Sequence, residues 1–196
     1  MPIDLTLVRT KLAHRAPRIV TAGEVARHRA AVAAILRERV GGPEVLLIRR
    51  AERAGDPWSG HMAFPGGRAS EDDPDLLATA IRETREEVGL DLEGSDVLGR
   101  LDDLPAVARG KRTGLVIAPY VFAIEKEPSL ALNYEVAEAV WTPLEPLVSG
   151  ASATTFAYAW EGQTLSLPAL RVGAHVVWGL TYQMLRMLFD AIDGRG

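Results

Sequence analysis

The chain has no cysteine, few aromatic residues and no excess of positive charge. Each shortage removes a class of function. Without cysteine there is no disulfide framework, no zinc–thiolate site and no cysteine nucleophile. The 22 basic residues are outnumbered by 26 acidic ones, and the net charge of −4 argues against a protein built on a nucleic-acid backbone, which needs a basic footprint. No apolar run is long enough to cross a bilayer, and residues 1–18 alternate charge with apolar character and carry no signal-peptide core. The expectation is a cytoplasmic protein that works on neither nucleic acid nor membrane.

What is present suits a globular fold. With 47% hydrophobic and 24% charged residues in 196, the chain can bury a sizeable core, and residues 1–196 read as a single domain. Residues Asp4–Leu12 predict a short amphipathic helix. The Ala/Val/Ile-rich stretch His28–Leu36 predicts a buried strand, Gly41-Gly42-Pro43 a turn, and Glu44–Arg50 a second strand closing a hairpin. Ala51–Gly67 is rich in Gly and Pro and reads as one long loop. Further strands are expected at Leu115–Ile124, where Pro119 suggests an edge or a bulge, and at Glu135–Trp141. Val172–Ile192 reads as a long apolar C-terminal helix, on which a homodimer could form. The fold class is α/β or α+β.

Asp75–Val88 is the clearest helix. Leu77, Ala80, Ile81, Thr84 and Val88 share an arc of about 80°, and Gly89 follows as a natural C′ residue. Glu83, Glu86 and Glu87, at i, i+3 and i+4, fall on a second arc away from the apolar one. Carboxylates so spaced repel each other, and a divalent cation removes the repulsion. The plain alternative is a solvated acidic face balanced by Arg82 and Arg85. The glycine-rich turn Phe64-Pro65-Gly66-Gly67 lies just upstream, where bare backbone can approach a ligand closely.

The stretch Gly67–Leu90 resembles the Nudix box, G-x5-E-x7-R-E-U-x-E-E-x-G-U, with U a bulky aliphatic residue. Arg82-Glu83-Thr84-Arg85-Glu86-Glu87-Val88-Gly89-Leu90 matches its second half, with Thr84 at an aliphatic position. The first half departs from it. The interval from Gly67 to Arg82 is one residue longer, and Pro74 stands where the early glutamate belongs, so Asp73 or Asp75 replaces it. The longer spacing, the run Leu46-Leu47-Ile48-Arg49-Arg50, Gly60, Phe64–Gly67, Asn133–Val136 and Trp178-Gly179-Leu180-Thr181 resemble the coenzyme A diphosphatase branch. Asp56 departs from that branch, whose signature has arginine there, and an aspartate would repel phosphate. Asp56 could instead cap the Asp56-Pro57-Trp58 turn.

The resemblance implies an α/β/α sandwich with a mixed sheet, dependence on Mg²⁺ or Mn²⁺, and attack of water on a nucleoside diphosphate linked to another moiety. It implies Gly67, Glu83, Glu86 and Glu87 as metal ligands, Arg82 as a group orienting Glu83 or Glu86, and Gly66 and Gly67 beside the substrate. Arg50 matches the branch signature's first arginine and is the first choice for a phosphate contact. Arg49, Arg53, Arg109, Lys111 and Arg112 are weaker candidates. Glu135 and Glu138 are both candidate general bases, Glu135 being taken forward. His61 reads as structural and Trp58 as a packing anchor. The expected substrate is coenzyme A or a derivative, giving 3′,5′-ADP and 4′-phosphopantetheine. ADP-ribose, a dinucleoside polyphosphate, an oxidised nucleotide, or binding without hydrolysis are the alternatives.

Overall fold

The structure, a computed structural model, describes residues 3–20, 28–56, 58–108 and 110–194. In chain order its elements are α1 (Leu5–Ala13), β1 (His28–Arg37), β2 (Glu44–Arg50), β3 (Met62–Ala63), β4 (Gly66–Arg68), α2 (Leu76–Val88), β5 (Asp96–Arg100), β6 (Leu104–Ala108), β7 (Lys111–Ile124), β8 (Val136–Pro143), α3 (Leu144–Val148), β9 (Ala153–Trp160), β10 (Gln163–Val172), β11 (His175–Val177) and α4 (Gly179–Asp193).

The first eight strands form one mixed sheet, β1 and β7 running parallel from His28↔Leu115 to Arg37↔Ile124 and the other pairs antiparallel. β1 explains its own composition. Ala31, Ala33 and Ile35 face one core, with Ala80 and Val88 of α2. Ala30, Val32, Ala34 and Leu36 face the other, with Val8 and Leu12 of α1 and Leu185, Leu188 and Phe189 of α4. A strand covered on both faces must be apolar throughout rather than alternating. The result is the expected α/β/α sandwich. The β1–β2 hairpin is present as expected, with Leu36 opposite Val45.

Three expectations are corrected. Pro119 lies in β7, a central strand flanked by β1 on one side and by β5 and β6 on the other. Its carbonyl accepts from the Leu101 amide, so its imide nitrogen faces the gap between β5 and β6, where no ladder bond is lost. The loop 51–67 is not wholly irregular, because β3 and the start of β4 pair with β2 and β1. The C-terminal helix begins at Gly179, not at Val172: the chain turns at Gly173, φ +56°, and β11 closes a hairpin with the end of β10, Val172 opposite His175. That hairpin belongs to a separate three-stranded sheet, β11-β10-β9, which the sequence reading did not anticipate. The apolar face of α4 is spent within the chain, where Met184, Leu185, Leu188, Phe189 and Ile192 are buried.

Candidate active site

α2 is set by its ends. The Asp75 carboxylate accepts from the Ala78 amide at 2.8 Å, and Gly89 closes the helix in the left-handed conformation. This leaves Asp73, two residues earlier, free for another task. Its carboxylate accepts from Arg82 Nε at 2.8 Å and Nη2 at 2.9 Å, and from the Ser70 amide and the Thr79 hydroxyl, each at 2.8 Å. The Arg82 fork holds the Asp73 carboxyl well below the usual carboxylate range, against the effect of burial. The other side of Arg82 turns to the site. Nη1 donates to Glu83 at 2.9 Å and to Glu86 at 3.3 Å, and Nη2 also reaches the Arg68 carbonyl at 3.1 Å.

The three helix glutamates do not share one environment. Glu87 is 2% exposed, so it sits on the packed side of α2 instead of the solvated arc expected for it. It accepts from the Gly66 amide at 2.8 Å. Burial raises its pKa to about 7, helped by the nearby charges of Glu83 and Glu135 and opposed by the Gly66 bond and Arg50. Burial also raises Glu83, with Glu86 and Glu135 adding repulsion against the pull of Arg82. Glu86 points outward, with 53% of its side chain exposed.

The glycines explain how the strand and the glutamates come so close. A Cβ on Gly67 would run into the Glu83 carboxylate, and one on Gly66, φ +149°, into the backbone of Ala31. The β1–β4 register pairs Gly67 with Ala31, while the Gly66 amide donates to Glu87.

A cavity of about 420 Å³ opens here. Glu83, Glu87 and Glu135 stand on its acidic side, Arg50, Arg53 and Arg68 bring positive charge, and Val32, Ile117 and Met184 form an apolar floor. A model of the NUDIX domain matches residues 27–160 of the chain. The chain belongs to the Nudix hydrolase family. It is 32% identical to the mouse mitochondrial coenzyme A diphosphatase NUDT8 over 143 residues, covering 72% of this chain and 67% of that one. An uncharacterised protein of Schizosaccharomyces pombe is 44% identical over 110 residues, which is 54% of this chain but only 33% of that relative. A MutT/Nudix family protein of Enterococcus faecalis has the same fold, with a TM-score of 0.58 at 16% identity over 97% of this chain and 69% of that one.

Within this Nudix chain, the structure separates residues that the sequence left equivalent. Between Asp73 and Asp75, it is Asp73 that meets the box arginine. Between the two carboxylates near β8, Glu135 lines the cavity and pairs with Arg53 at 3.2 Å. Glu138 instead bonds His175 at 2.8 Å and lies near Arg49 at 3.8 Å, outside the cavity wall. Arg50 lines the cavity, but its Nη2 donates to Asp56 at 2.8 Å. The second Asp56 oxygen accepts from the Trp58 amide at 3.0 Å. Asp56 is therefore a turn cap and a partner of Arg50; Pro57, between the two ends of that turn, lies outside the described residues, as does Arg109. Lys111 and Arg112 open β7, away from the cavity wall. The walls formed by His61, Trp178, Leu180 and Thr181 were not foreseen as such, although Trp178–Thr181 carried a signal in the sequence.

Nudix hydrolases are generally divalent-metal dependent. Among the described residues, no group of three or more Asp, Glu or His side chains is arranged to hold a metal ion by itself. The donors nonetheless suit a hard cation. They are all oxygens; Glu87 is buried and Glu83 half-buried, each beside like charges whose repulsion a divalent cation would relieve further. Mg²⁺ commonly takes one or two carboxylates and completes its shell with water and substrate phosphate.

Proposed function

We propose that the chain hydrolyses the diphosphate bond of coenzyme A or a close derivative, giving 3′,5′-ADP and 4′-phosphopantetheine, with Mg²⁺ or Mn²⁺ as the cofactor. The observation that carries this is the cavity where Glu83, Glu87 and Glu135 face Arg50, Arg53 and Arg68. Such a site accommodates a cation and a phosphate chain together. The likeness to NUDT8 supports the choice of substrate.

Glu83 and Glu87, joined by Glu86, would hold the cation, and the bare backbone of Gly66 and Gly67 would let the substrate come close. When bound, the cation neutralises diphosphate oxygens and lowers the pKa of a water. Arg82 positions Glu83 and ties α2 to the loop at Asp73. Arg53 and Arg50, which line the cavity, are the phosphate contacts of this reading, each keeping its carboxylate partner. Glu135 accepts the proton of the attacking water as its oxygen bonds to phosphorus. The bond to the bridging oxygen breaks, and that oxygen leaves as part of a phosphate monoester.

The test is a panel of coenzyme A, acyl-coenzyme A, ADP-ribose and a dinucleoside polyphosphate, each incubated with Mg²⁺ or Mn²⁺ and resolved by mass. The expected products are 3′,5′-ADP and phosphopantetheine or its acyl form. Intact coenzyme A compounds beside a cleaved ADP-ribose or dinucleoside polyphosphate would overturn the substrate and leave the diphosphatase reading standing.

A further inference from the structure

A second cavity, about 640 Å³ in volume, adjoins the acidic one, and Trp58, His61, Trp178 and Leu180 belong to both walls. It is built by the small sheet. Along β9 the side chains alternate: Phe156, Tyr158 and Trp160 are half-buried on one face, while Thr155, Ala157 and Ala159 are small and exposed on the other. Leu167 and Leu165 stand opposite Phe156 and Tyr158 on β10. The rings form a continuous row. His61 lies 4.7 Å from Trp178, Phe156 stacks on Trp178 at 4.1 Å, and Tyr158 bridges Trp178 at 5.4 Å to Trp160 at 6.2 Å. Trp160 is seated on Gly110, whose bare Cα (φ +68°) leaves no room for a Cβ.

The two cavities differ in charge. The first holds three arginines and four carboxylates, those of Asp56, Glu83, Glu87 and Glu135. Among the described residues, Glu161 is the only full charge on the second wall, since burial lowers the pKa of His61 and keeps its ring neutral near pH 7. A row of half-covered aromatic rings around a cavity this size is the lining of an apolar ligand site.

We propose that this aromatic cavity takes the uncharged arm of the substrate, the acyl-pantetheine end of a coenzyme A thioester, while the nucleotide end stays with the arginines. The proposal rests on the coenzyme A reading above. Three observations favour this orientation. The cavities are contiguous, so a chain leaving the diphosphate enters the second directly. Among the described residues, the second wall offers the 3′-phosphate of the nucleotide end a carboxylate, Glu161, and no cation. The apolar faces of Phe156, Tyr158, Trp160 and Leu167 gain cover from an acyl chain, which a charged group cannot provide.

Tyr158→Ala and Trp160→Ala test this, with melting curves to establish that both fold. For octanoyl-coenzyme A, KM should rise about tenfold, the effect of losing one aromatic contact to a ligand. Turnover at saturation should change less than about twofold, since uniform binding alone is lost. The inhibition constant of 3′,5′-ADP should not move. An unchanged KM overturns the proposal. So does an inhibition constant that rises along with KM, because the base would then occupy the cavity. Quenching of tryptophan fluorescence by S-octanoyl-pantetheine, which carries no phosphate, decides the cavity independently of catalysis. Saturable quenching that Tyr158→Ala weakens supports the proposal, and its absence in the wild-type chain overturns it. If the wild-type chain binds S-octanoyl-pantetheine but cleaves no coenzyme A compound, the substrate reading fails and the cavity assignment stands.

Discussion

Arg82 grips Asp73 with Nε and Nη2, at 2.8 and 2.9 Å, and turns its remaining nitrogen to Glu83 at 2.9 Å. One guanidinium thus links the loop before α2 to a carboxylate of the site. The extra residue between Gly67 and Arg82 is accommodated because the partner is the shorter Asp73, lying outside the helix, while Asp75 caps the helix itself.

Asp73→Asn keeps the shape and removes the charge. The variant should lose roughly 2–3 kcal/mol of stability, because hydrogen bonds to a charged partner are among the stronger ones and one side of this pair is buried. Turnover should fall about tenfold with little change in KM, as expected when the support of an active carboxylate is lost. The wild-type chain should shed the same stabilisation in acid. The folded-state pKa of Asp73 is depressed, so its contribution is complete above the ordinary aspartate value of 3.8 and is lost as pH falls below it. Thermal melts at several pH values and steady-state kinetics check both points; a variant that melts and turns over like wild type would leave the clamp without a role.

Glu87 should make the metal-free chain less stable as pH rises. Its folded value of about 7 lies above the ordinary 4.5, so between those limits the fold holds the proton more tightly than the unfolded chain does. Stability therefore drops by about 3 kcal/mol across that window and levels off above it. Mg²⁺ or Mn²⁺ should restore more stability at pH 8 than at pH 5, and chelation should reverse the gain. Glu87→Gln should flatten the slope and, like Glu86→Gln, abolish most turnover while the chain still folds. Melting curves with and without metal test this, and a slope that survives in Glu87→Gln would assign it to another group.

Glu135 and Glu138 are three residues apart and differ in placement. Glu135→Gln should cut kcat by about a hundredfold or more, the usual contribution of a general base. Glu138→Gln, which loses the charge beside His175, should retain near-wild-type kcat. A reversed order would move the base to the other carboxylate.

Asp56→Arg should not improve use of coenzyme A. The aspartate that seemed misplaced beside phosphate already neutralises Arg50 and caps the turn at Trp58. Arginine there would lose both bonds and set two cations together, at a cost of about 1–3 kcal/mol. A lower melting temperature with no gain in kcat/KM is the expected result. A faster enzyme would show that phosphate repulsion outweighs the turn.

Much of the catalytic helix was determined by the sequence alone, because its causes are local. Asp75 and Gly89 terminate α2 through bonds to their own neighbours, and the spacing of Glu83, Glu86 and Glu87 follows from helical geometry. The β1–β2 hairpin was legible for the same reason. Tertiary structure decided what depends on distant partners. Only the packing of α2 on β4 buries Glu87 and raises its pKa, and only the approach of the loop to Arg82 selects Asp73 over Asp75. The position of β8 beside β2 separates Glu135 from Glu138. Pro119 suggested an edge because its missing donor matters only if a neighbouring strand needs it, and that neighbour is a gap between two other strands. The run Val172–Ile192 looked like a single helix because short apolar segments do not reveal their own period. Its first residues became a strand because β10 and β11 close on each other at Gly173, a pairing whose partners periodicity alone cannot identify.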